Sequence, residues 1–308
     1  MNVKSNSVAT FYRFVELQDL STWQQQLEAQ AQQLELRGTV LLAQEGINGT
    51  LVGTQDNLDR FVGALLARPE LASMPVKRST AAGEHPVFHR LKVRVKPEIV
   101  AMGLPAVRPA ERTGTHVGAQ RWHELLDDPD VPVLDVRNTY ETEIGRFGQA
   151  TDPKTQSFRE FPEYVAQHLD PATQPKVAMY CTGGIRCEKA SAYLLDQGFS
   201  EVFQLDGGIL NYLAEVEPQT NRWEGECFVF DQRVSVDSKL EEGGYQQCFA
   251  CRHAVTEEDL QSPKYVRGRS CPRCFDDRQR QVELAAQRGT KHIGADYNKQ
   301  QEDTSGST

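Results

Sequence analysis

The stretch that decides the fold reads YCTGGIRCEK and spans residues 180–189. It continues an apolar run over residues 176–180, and such a run is typical of a strand covered on both faces in a parallel sheet. Two successive glycines allow the backbone to turn sharply, and a helix is predicted from about Arg186 onward. Cys181 is therefore predicted at the carboxyl end of a strand, just before a helix, where open α/β sheets bind their ligands.

Cys181 has the surroundings that activate a thiol. The amide groups of the turn and the amino end of the following helix favour negative charge, and Arg186 adds a permanent cation. A free thiol has a pKa of about 8.5, and such surroundings lower it to roughly 3.5–7.5. We therefore predict that Cys181 is a catalytic thiolate and that Arg186 and the loop amides hold an anion. The alternative is a buried structural cysteine beside an ordinary turn.

The other loop residues are predicted to support Cys181 and Arg186. They are Thr182, Gly183, Gly184, Ile185 and Cys187. Two roles are open for Cys187: it can resolve an oxidised Cys181, or it can pack in the core, where free cysteines are common. Asp135 and Arg137 come at the end of a neighbouring buried strand, and we expect them to brace the loop through an ion pair rather than to react.

The sequence around this loop predicts an α/β domain over residues 109–217. Buried runs at residues 131–136 and 202–205 are similar to the run before Cys181, and they suit further strands of one parallel sheet with helices on both faces. A helix is predicted over residues 188–197.

Residues 1–108 are predicted to form a separate α+β domain. Strand and helix patterns follow one another in the order β-α-β-β-α-β, which is that of ferredoxin-like and acylphosphatase-like folds. The predicted strands span residues 8–17, 39–43, 49–52 and 87–95, and the predicted helices span residues 23–34 and 58–66.

A basic strand ends this first domain. Arg90, Lys92, Arg94 and Lys96 alternate with apolar residues, so a strand places all four cations on one face. We predict that this face is a platform for RNA phosphates. The alternative is a solvated strand face, which is what runs of charge usually are.

A second basic region lies near the carboxyl end, although the net charge of the chain is −9. Residues 264–291 hold eight Lys and Arg against three Asp and Glu, whereas residues 121–217 hold eight against seventeen. Because an acidic protein can still present a basic surface, we predict that the second region also contacts RNA, chiefly through Arg267, Arg269 and Arg273.

Four cysteines in the same region have the spacing C-x2-C-x19-C-x2-C. They are Cys248, Cys251, Cys271 and Cys274. Four thiolates at this spacing close a tetrahedral site, and soft sulfur ligands favour zinc. Because a closed site leaves no open coordination position, we predict a structural zinc in a small domain over residues 218–294. The alternative is four reduced cysteines in a small core. The polar residues 295–308 are predicted to be a disordered tail.

Composition excludes several classes of protein. Of the 308 residues, 39% are hydrophobic and 25% are charged, as in ordinary globular proteins. We find no apolar run of about 18 residues and no apolar signal-peptide core, so we expect a cytoplasmic protein with no membrane partner. The sequence has no motif for a flavin, a nicotinamide or an iron site.

Three motifs in order carry a resemblance to a known family. CTGGIRCEK at residues 181–189, with DVR at residues 135–137 and DGG at residues 206–208, resembles a rhodanese domain. EGINGT at residues 45–50 and the four-cysteine unit narrow the resemblance to the TrhO-type, rhodanese-like tRNA uridine hydroxylases. Many sulfurtransferases of the wider group have Arg directly after the cysteine and Ser or Thr after the last Arg of the loop. This chain has Thr182 and Cys187 at those places.

The resemblance implies a tRNA-modifying oxidoreductase. Its implied reaction uses molecular oxygen to hydroxylate the wobble uridine of certain tRNAs at C5, which requires contact with the anticodon and a splayed base. Either Cys181 adds to C6 of the uracil, or Cys181 is first oxidised or persulfidated and acts as the carrier. The rival functions are a persulfide-forming sulfurtransferase and a non-catalytic RNA-binding adaptor. The sequence indicates neither the electron donor nor the oligomeric state.

Overall fold

The computed structural model describes residues 6–81, 88–231 and 233–287. The chain divides into two compact units, Met1–Gly243 and Gly244–Thr308. The predicted disordered tail at residues 295–308 lies outside the described residues, as do Arg288 and Lys291 of the second basic region. Among the described helices, none is both long enough and apolar enough to cross a bilayer.

The first unit begins with a five-stranded sheet and two helices. In chain order the elements are β1 (Asn6–Phe14), α1 (Leu20–Gln33), β2 (Arg37–Ala43), β3 (Gly46–Gly53), α2 (Gln55–Leu66), β4 (Val76–Ala81) and β5 (Leu91–Val95). The strands lie in the order β4-β1-β3-β2-β5; all neighbouring pairs are antiparallel except β2 and β5. The predicted acylphosphatase-like fold is confirmed, with β5 as an additional edge strand.

The strand predicted at residues 87–95 is not the last strand of the β-α-β-β-α-β unit. β4 takes that place, and β5 pairs with β2 at the opposite edge of the sheet. β4 reads VKRSTA and lies at an edge, where exposed positions are polar and the apolar pattern that marks a strand is weak. Part of the predicted strand, including Val87, lies outside the described residues.

The two faces of this sheet differ in what covers them. Helices α1 and α2 pack on one face, where Phe11, Leu51 and Phe61 are almost completely buried in a single apolar core. Side chains of β1 alternate between the faces, so Thr10 and Tyr12 lie on the other face and are only partly buried. Val8 and Val52 form a small apolar cluster at one end of this helix-free face, and its polar part forms one wall of the cavity described below.

The second half of the unit is built around a four-stranded parallel sheet. In chain order the elements of this half are β6 (Thr115–Val117), α3 (Ala119–Asp127), β7 (Val133–Asp135), α4 (Thr139–Thr142), β8 (Gly145–Phe147), α5 (Phe161–His168), β9 (Lys176–Tyr180), α6 (Ile185–Asp196), β10 (Glu201–Leu205), α7 (Gly208–Glu215), β11 (Trp223–Gly225), β12 (Cys227–Phe228) and β13 (Ser235–Val236). The sheet order is β6-β10-β9-β7. Ala178 and Tyr180 enter one core and Val177 and Met179 the other, so the prediction of a sheet covered on both faces is confirmed.

Residues 218–243 belong to this first unit, which differs from the predicted boundary after residue 217. β11 pairs with β8, and the ring of Trp223 packs edge-on against Phe147 at 5.2 Å between centroids. Cys227 and Val236 lie in the same apolar core as Tyr180. These buried side chains anchor the segment, whereas its sequence has no long periodic pattern to show where it packs.

The second unit is small. It contains β14 (Gln246–Gln247), β15 (Ala254–Val255), α8 (Glu257–Gln261) and α9 (Phe275–Gln287). Among its described residues, the buried core consists of Val255, Cys248, Cys271 and Cys274, with Leu260 and Tyr265 partly buried against it. So little apolar surface holds a domain only weakly, which is the situation in which a metal staple stabilises a fold.

Candidate active site

The cysteine loop begins where the prediction placed it, at the carboxyl end of β9. Cys181 follows the last residue of this strand, and α6 starts at Ile185. The Cys181 residue has no exposed surface in the folded protein, yet it lines a cavity of about 1140 Å³. The N–H of Gly184 donates to the Cys181 Sγ at 3.1 Å, so the sulfur has a main-chain donor at short range.

Charge and hydrogen bonding around Cys181 favour the thiolate. Burial alone would raise the pKa of the thiol, but a hydrogen bond from the Cys187 thiol, the positive charge of Arg186 and the backbone N–H groups of both residues lower it to about 5. Burial and the neighbouring Cys181 sulfur raise the pKa of Cys187 well above its usual value. At neutral pH Cys181 is therefore ionised, and Cys187 remains a protonated donor packed in the core.

Arg186 has a partner that the sequence did not reveal. Its Nη1 and Nη2 atoms lie 2.6 and 2.7 Å from the two carboxylate oxygens of Glu141, and both residues are buried. The Thr182 hydroxyl donates to the same carboxylate at 3.3 Å. Burial would raise the pKa of Glu141, but Arg186 outweighs it and holds that pKa below its usual value. The loop thus gains a fixed cation whose terminal nitrogens are already paired.

Asp135 and Arg137 form the ion pair that the sequence suggested. The Arg137 Nη2 lies 2.6 Å from the Asp135 Oδ2, and both side chains are buried. Arg137 also donates to the carbonyls of Glu141 at 3.2 Å and Gly145 at 2.6 Å. The pair therefore fixes the segment that carries Glu141, and through Glu141 it fixes Arg186 and the loop.

Two glycines allow the loop to pack closely. Gly184 has a φ of +100°, and a Cβ at this residue would lie 2.8 Å from the Tyr12 hydroxyl oxygen. Gly208, in the DGG motif, has a φ of +69°, and its Cβ would collide with the Cys181 carbonyl oxygen. Both positions require glycine because of the left-handed backbone and the close approach.

The helix-free face of the first sheet supplies the opposite wall of the cavity. Tyr12 and Lys77 line it together with Cys181, Gly183 and Gly207. The Lys77 Nζ donates to the carbonyl of Gly183 at 3.3 Å and to that of Gly207. An ammonium group from the acylphosphatase-like half is thus held against the backbone of the cysteine loop.

Glu188, in the CEK part of the loop motif, makes a second link between the acylphosphatase-like half and the cysteine loop. Its carboxylate accepts hydrogen bonds from Tyr12 at 3.3 Å and Thr113 at 2.7 Å, and lies 2.9 Å from the His116 Nε2. The hydrogen bond to Glu188 raises the pKa of His116, although burial acts in the opposite direction. Tyr12, His116 and Glu188 all line the cavity.

Lys189 explains why the EGINGT and CEK motifs occur together. Its Nζ is completely buried and lies 2.6 Å from both Glu45, in EGINGT, and Glu98. The other carboxylate oxygen of Glu45 accepts the N–H of Ile99 at 2.7 Å, and the Glu98 carboxylate accepts two further backbone N–H groups. This buried triad fastens α6 to the turn between β2 and β3.

The basic residues in and beside β5 extend the helix-free face of the first sheet. Thr39 is opposite Lys92 and Leu41 is opposite Arg94 in the pairing of β2 with β5. Lys92 is partly buried and Arg94 is exposed; Arg90 and Lys96 flank β5 and are exposed. Register places Lys77, Thr10, Thr50, Thr39 and Lys92 in one row across all five strands. Four strand spacings make this row about 19 Å long.

The four cysteines of the second unit converge. Their Sγ atoms all lie within 4.8 Å of one another, with separations of 3.7 Å for Cys251–Cys271, 3.8 Å for Cys271–Cys274 and 4.0 Å for Cys248–Cys274. A tetrahedral site with Zn–S bonds of about 2.3 Å requires sulfur separations of about 3.8 Å. The donor set and the spacing therefore fit a metal ion of this kind.

The second basic region is partly neutralised within its own unit. Lys264 pairs with Asp276 at 3.1 Å, and Arg278 donates to the carbonyl of Ala250 at 2.8 Å. Arg267 and Arg273 are exposed, and Arg269 is partly buried. The contact of these three arginines with RNA stays a prediction.

Sequence reasoning missed the partners that come from distant segments. Glu141, Tyr12, His116 and Phe230 line or support the cavity, and none belongs to a local motif for this chemistry. One signal was present for Glu141, because Asn138 and Glu141 form a capping box at the start of α4. That pattern predicts the helix start but does not predict the pairing with Arg186.

Comparison with known proteins assigns both halves of the first unit. A UPF0176 acylphosphatase like domain matches residues 6–99, and a Rhodanese-like domain matches residues 119–215.

Solved structures with similar parts include the rhodanese-like domain of an Anabaena sp. protein, at 20% identity over 37% of this chain and 80% of that chain, with a TM-score of 0.29. A rhodanese-related protein from Thermoplasma volcanium has 24% identity over 34% of this chain and 95% of that chain, with a TM-score of 0.28. An acylphosphatase from Coxiella burnetii has 18% identity over 30% of this chain and 100% of that chain, with a TM-score of 0.24.

Proposed function

Because the chain belongs to the TrhO-type UPF0176 proteins by the order of its acylphosphatase-like and rhodanese-like domains, we propose that it is a tRNA uridine 5-hydroxylase. Its substrate is the wobble uridine in the anticodon of cytoplasmic tRNA, and its co-substrate is molecular oxygen. The observation that carries the proposal is an ionised Cys181 on the wall of a large cavity, facing a polar, cation-bearing sheet from the other half of the unit.

The cavity has the features that a splayed nucleobase requires. Its volume of about 1140 Å³ exceeds that of a typical small-molecule site. Phe230 lines it with 59% of its surface exposed, and the Arg186 guanidinium carbon lies 5.8 Å from the centre of its ring. An exposed aromatic ring beside a cation is the usual stacking partner for an unpaired base.

The proposed chemistry uses the thiolate. Addition of the Cys181 sulfur to C6 of uracil makes C5 electron-rich, so C5 can attack an oxidant. One atom of oxygen enters at C5 and the other leaves as water, which requires two electrons from an external donor. In the alternative route, Cys181 is first oxidised and carries the transferred atom. Both routes require the lowered pKa of Cys181.

The phosphates on either side of the target base need cations along their path. Lys92 offers such a cation at one end of the row, which runs about 19 Å to the cavity wall and suits a few nucleotides of single-stranded loop. Arg94 lies on the same face. In the second unit, we propose that Arg267, Arg269 and Arg273 make further phosphate contacts and that zinc bound by the four cysteines stabilises their domain.

The test is mass spectrometry of tRNA nucleosides from a strain that lacks this gene. We expect 5-hydroxyuridine to return when the wild-type chain is expressed with oxygen, and to be absent without oxygen or with Cys181→Ser. Full 5-hydroxyuridine with Cys181→Ser would refute both thiolate routes and would favour a non-catalytic adaptor. Unchanged tRNA affinity between low and moderate salt would refute the basic-surface assignment.

A persulfide sulfurtransferase is the second candidate, and the match to a rhodanese-like domain favours it. Its donor would be an anion such as thiosulfate. Both terminal nitrogens of Arg186 are already bound by Glu141, so this loop offers little free positive charge to a dianion. The product distinguishes the two functions: thiocyanate or a thiolated acceptor indicates sulfur transfer, and 5-hydroxyuridine indicates hydroxylation.

A further inference from the structure

Lys77 differs from Arg186, another cation beside the cysteine loop, in how its charge is paired. Both terminal nitrogens of Arg186 are bound by the carboxylate of Glu141. The Lys77 ammonium donates only to the carbonyls of Gly183 and Gly207, and within the described residues no carboxylate lies within ion-pair distance of it.

The position of Lys77 directs its remaining donor at the cavity. An ammonium group has three N–H donors, and the two carbonyls use two of them. The side chain is partly buried and lines the cavity with Cys181. Its pKa is lowered by burial, while the negative charges of Cys181 and Asp206 act in the opposite direction. Lys77 is thus electrostatically coupled to the thiolate without touching a carboxylate.

We propose that Lys77 is a catalytic residue that binds O4 of the target uracil and stabilises the enolate formed when Cys181 adds to C6. This inference rests on the proposed function and names a second reacting group for it. The Sγ electron pair forms the bond to C6. The electrons of the C5=C6 bond move into the C4 carbonyl and leave the negative charge on O4. Lys77 keeps its proton and donates a hydrogen bond to that oxygen.

Charge balance favours this ligand over a phosphate. A phosphodiester beside Lys77 would bring a second negative charge close to the ionised sulfur and to Asp206, which is exposed and lines the same cavity. A uracil carbonyl is neutral when it enters. It gains its charge only as the sulfur loses its own, so the net charge near Lys77 does not change during the step.

The enolate can be tested without oxygen or the electron donor. C5 of the adduct takes a proton from water and then loses its original hydrogen to water; as the C5=C6 bond re-forms, the sulfur leaves C6, so the hydrogen at C5 has been exchanged. The substrate is tRNA made with [5-²H]uridine, incubated with the full chain under anaerobic conditions at about pH 8, where Cys181 is ionised. Loss of deuterium from the wobble uridine is read by mass spectrometry of the anticodon fragment that a ribonuclease releases. We expect exchange with the wild-type chain and none with Cys181→Ser.

Lys77→Met is expected to slow exchange at saturating tRNA by about 100-fold or more, as for the loss of one donor to a developing oxyanion. The rate of Cys181 alkylation by iodoacetamide at the same pH should change by less than about twofold if the loop keeps its shape. Lys176→Met is the matched control, because Lys176 forms an exposed pair with Glu201 and does not line the cavity. It should leave both the exchange rate and the alkylation rate unchanged.

Three results would overturn the proposal. Exchange that Lys77→Met does not slow would show that Lys77 does not contact the reacting base. Equal losses of exchange and of alkylation would show that Lys77 only holds the loop. A wild-type chain that makes 5-hydroxyuridine in cells but never exchanges deuterium would reject the enolate while hydroxylation stands. Conversely, exchange that depends on Lys77 in a protein that makes no 5-hydroxyuridine would support Lys77 and reject the hydroxylase.

Discussion

Replacement of Cys187 by alanine should raise the pKa of Cys181. The pKa of about 5, against about 8.5 for a free thiol, corresponds to roughly 5 kcal/mol of stabilisation of the thiolate. The hydrogen bond from Cys187 is the largest favourable contribution to it, and a hydrogen bond to a charged group contributes about 1.5–3 kcal/mol. Cys187→Ala should therefore raise the pKa of Cys181 to roughly 6 or 7.

The change is best measured in mild acid. At pH 7 the wild-type thiolate is almost fully formed, so a variant with a pKa of about 6 would differ little. At a pH of about 5.5 the ionised fraction should fall from about three quarters to about one tenth for a pKa near 6.5. The midpoint is read from thiolate absorbance with Cys181→Ser as the blank, and from iodoacetamide alkylation of the peptide that carries Cys181.

Two controls isolate the hydrogen bond. Cys187→Ser keeps a hydroxyl donor and should keep the midpoint near that of the wild type. Cys227→Ala removes another buried cysteine, whose own pKa burial raises to about 12, and should not move the midpoint. A Cys187→Ala midpoint that stays near 5 would refute the role of the Cys187 thiol. The thiolate would then depend on Arg186 and the loop amides alone.

Four further predictions concern other parts of the molecule. Lys189→Met leaves the carboxylates of Glu45 and Glu98 without their cation and should lower the free energy of unfolding, measured in urea, by about 3–5 kcal/mol. Lys176→Met breaks an exposed pair with Glu201 and should lower it by less than about 1 kcal/mol. The hydrogen bond to Glu188 raises the pKa of His116 in the folded protein. The contribution of this pair to folding stability is therefore present below the unfolded pKa of about 6.5 and is lost as the pH rises through the folded pKa. The Tm difference between wild type and His116→Gln should shrink from pH 6 to pH 9, and a constant difference would contradict this. Phe230→Ala should weaken tRNA binding by about 1–3 kcal/mol, measured by filter binding, while Phe230→Trp keeps the stacking surface and the affinity. Cys271→Ser should lower the zinc content and make residues 244–287 sensitive to protease without moving the Cys181 midpoint; a metal-free wild-type chain with a protease-resistant second unit would refute the structural metal.

Local sequence was sufficient wherever the deciding residues are neighbours along the chain. The parallel sheet followed from apolar runs, and the thiolate nest followed from a strand, two glycines and a helix start within residues 176–189. The convergence of the four cysteines followed from two short cysteine pairs. Local sequence failed for β4, because an edge strand with polar exposed positions has little apolar pattern, and for residues 218–243, whose packing depends on a few buried side chains.

The sequence by itself determined which cysteine lies between the buried strand and the helix, and which kinds of domain surround it. Tertiary structure alone decided which charged groups surround and support the Cys181 loop. Glu141 pairs with Arg186 across 45 residues of sequence, the Lys77 ammonium donates to the Gly183 carbonyl across 106 residues, and Lys189 binds Glu45 across 144 residues. The physical reason is that a backbone turn or a cysteine knuckle is fixed by adjacent residues. The partner of a buried charge is instead whichever group the packing of two domains brings within about 3 Å, and no local pattern records that distance.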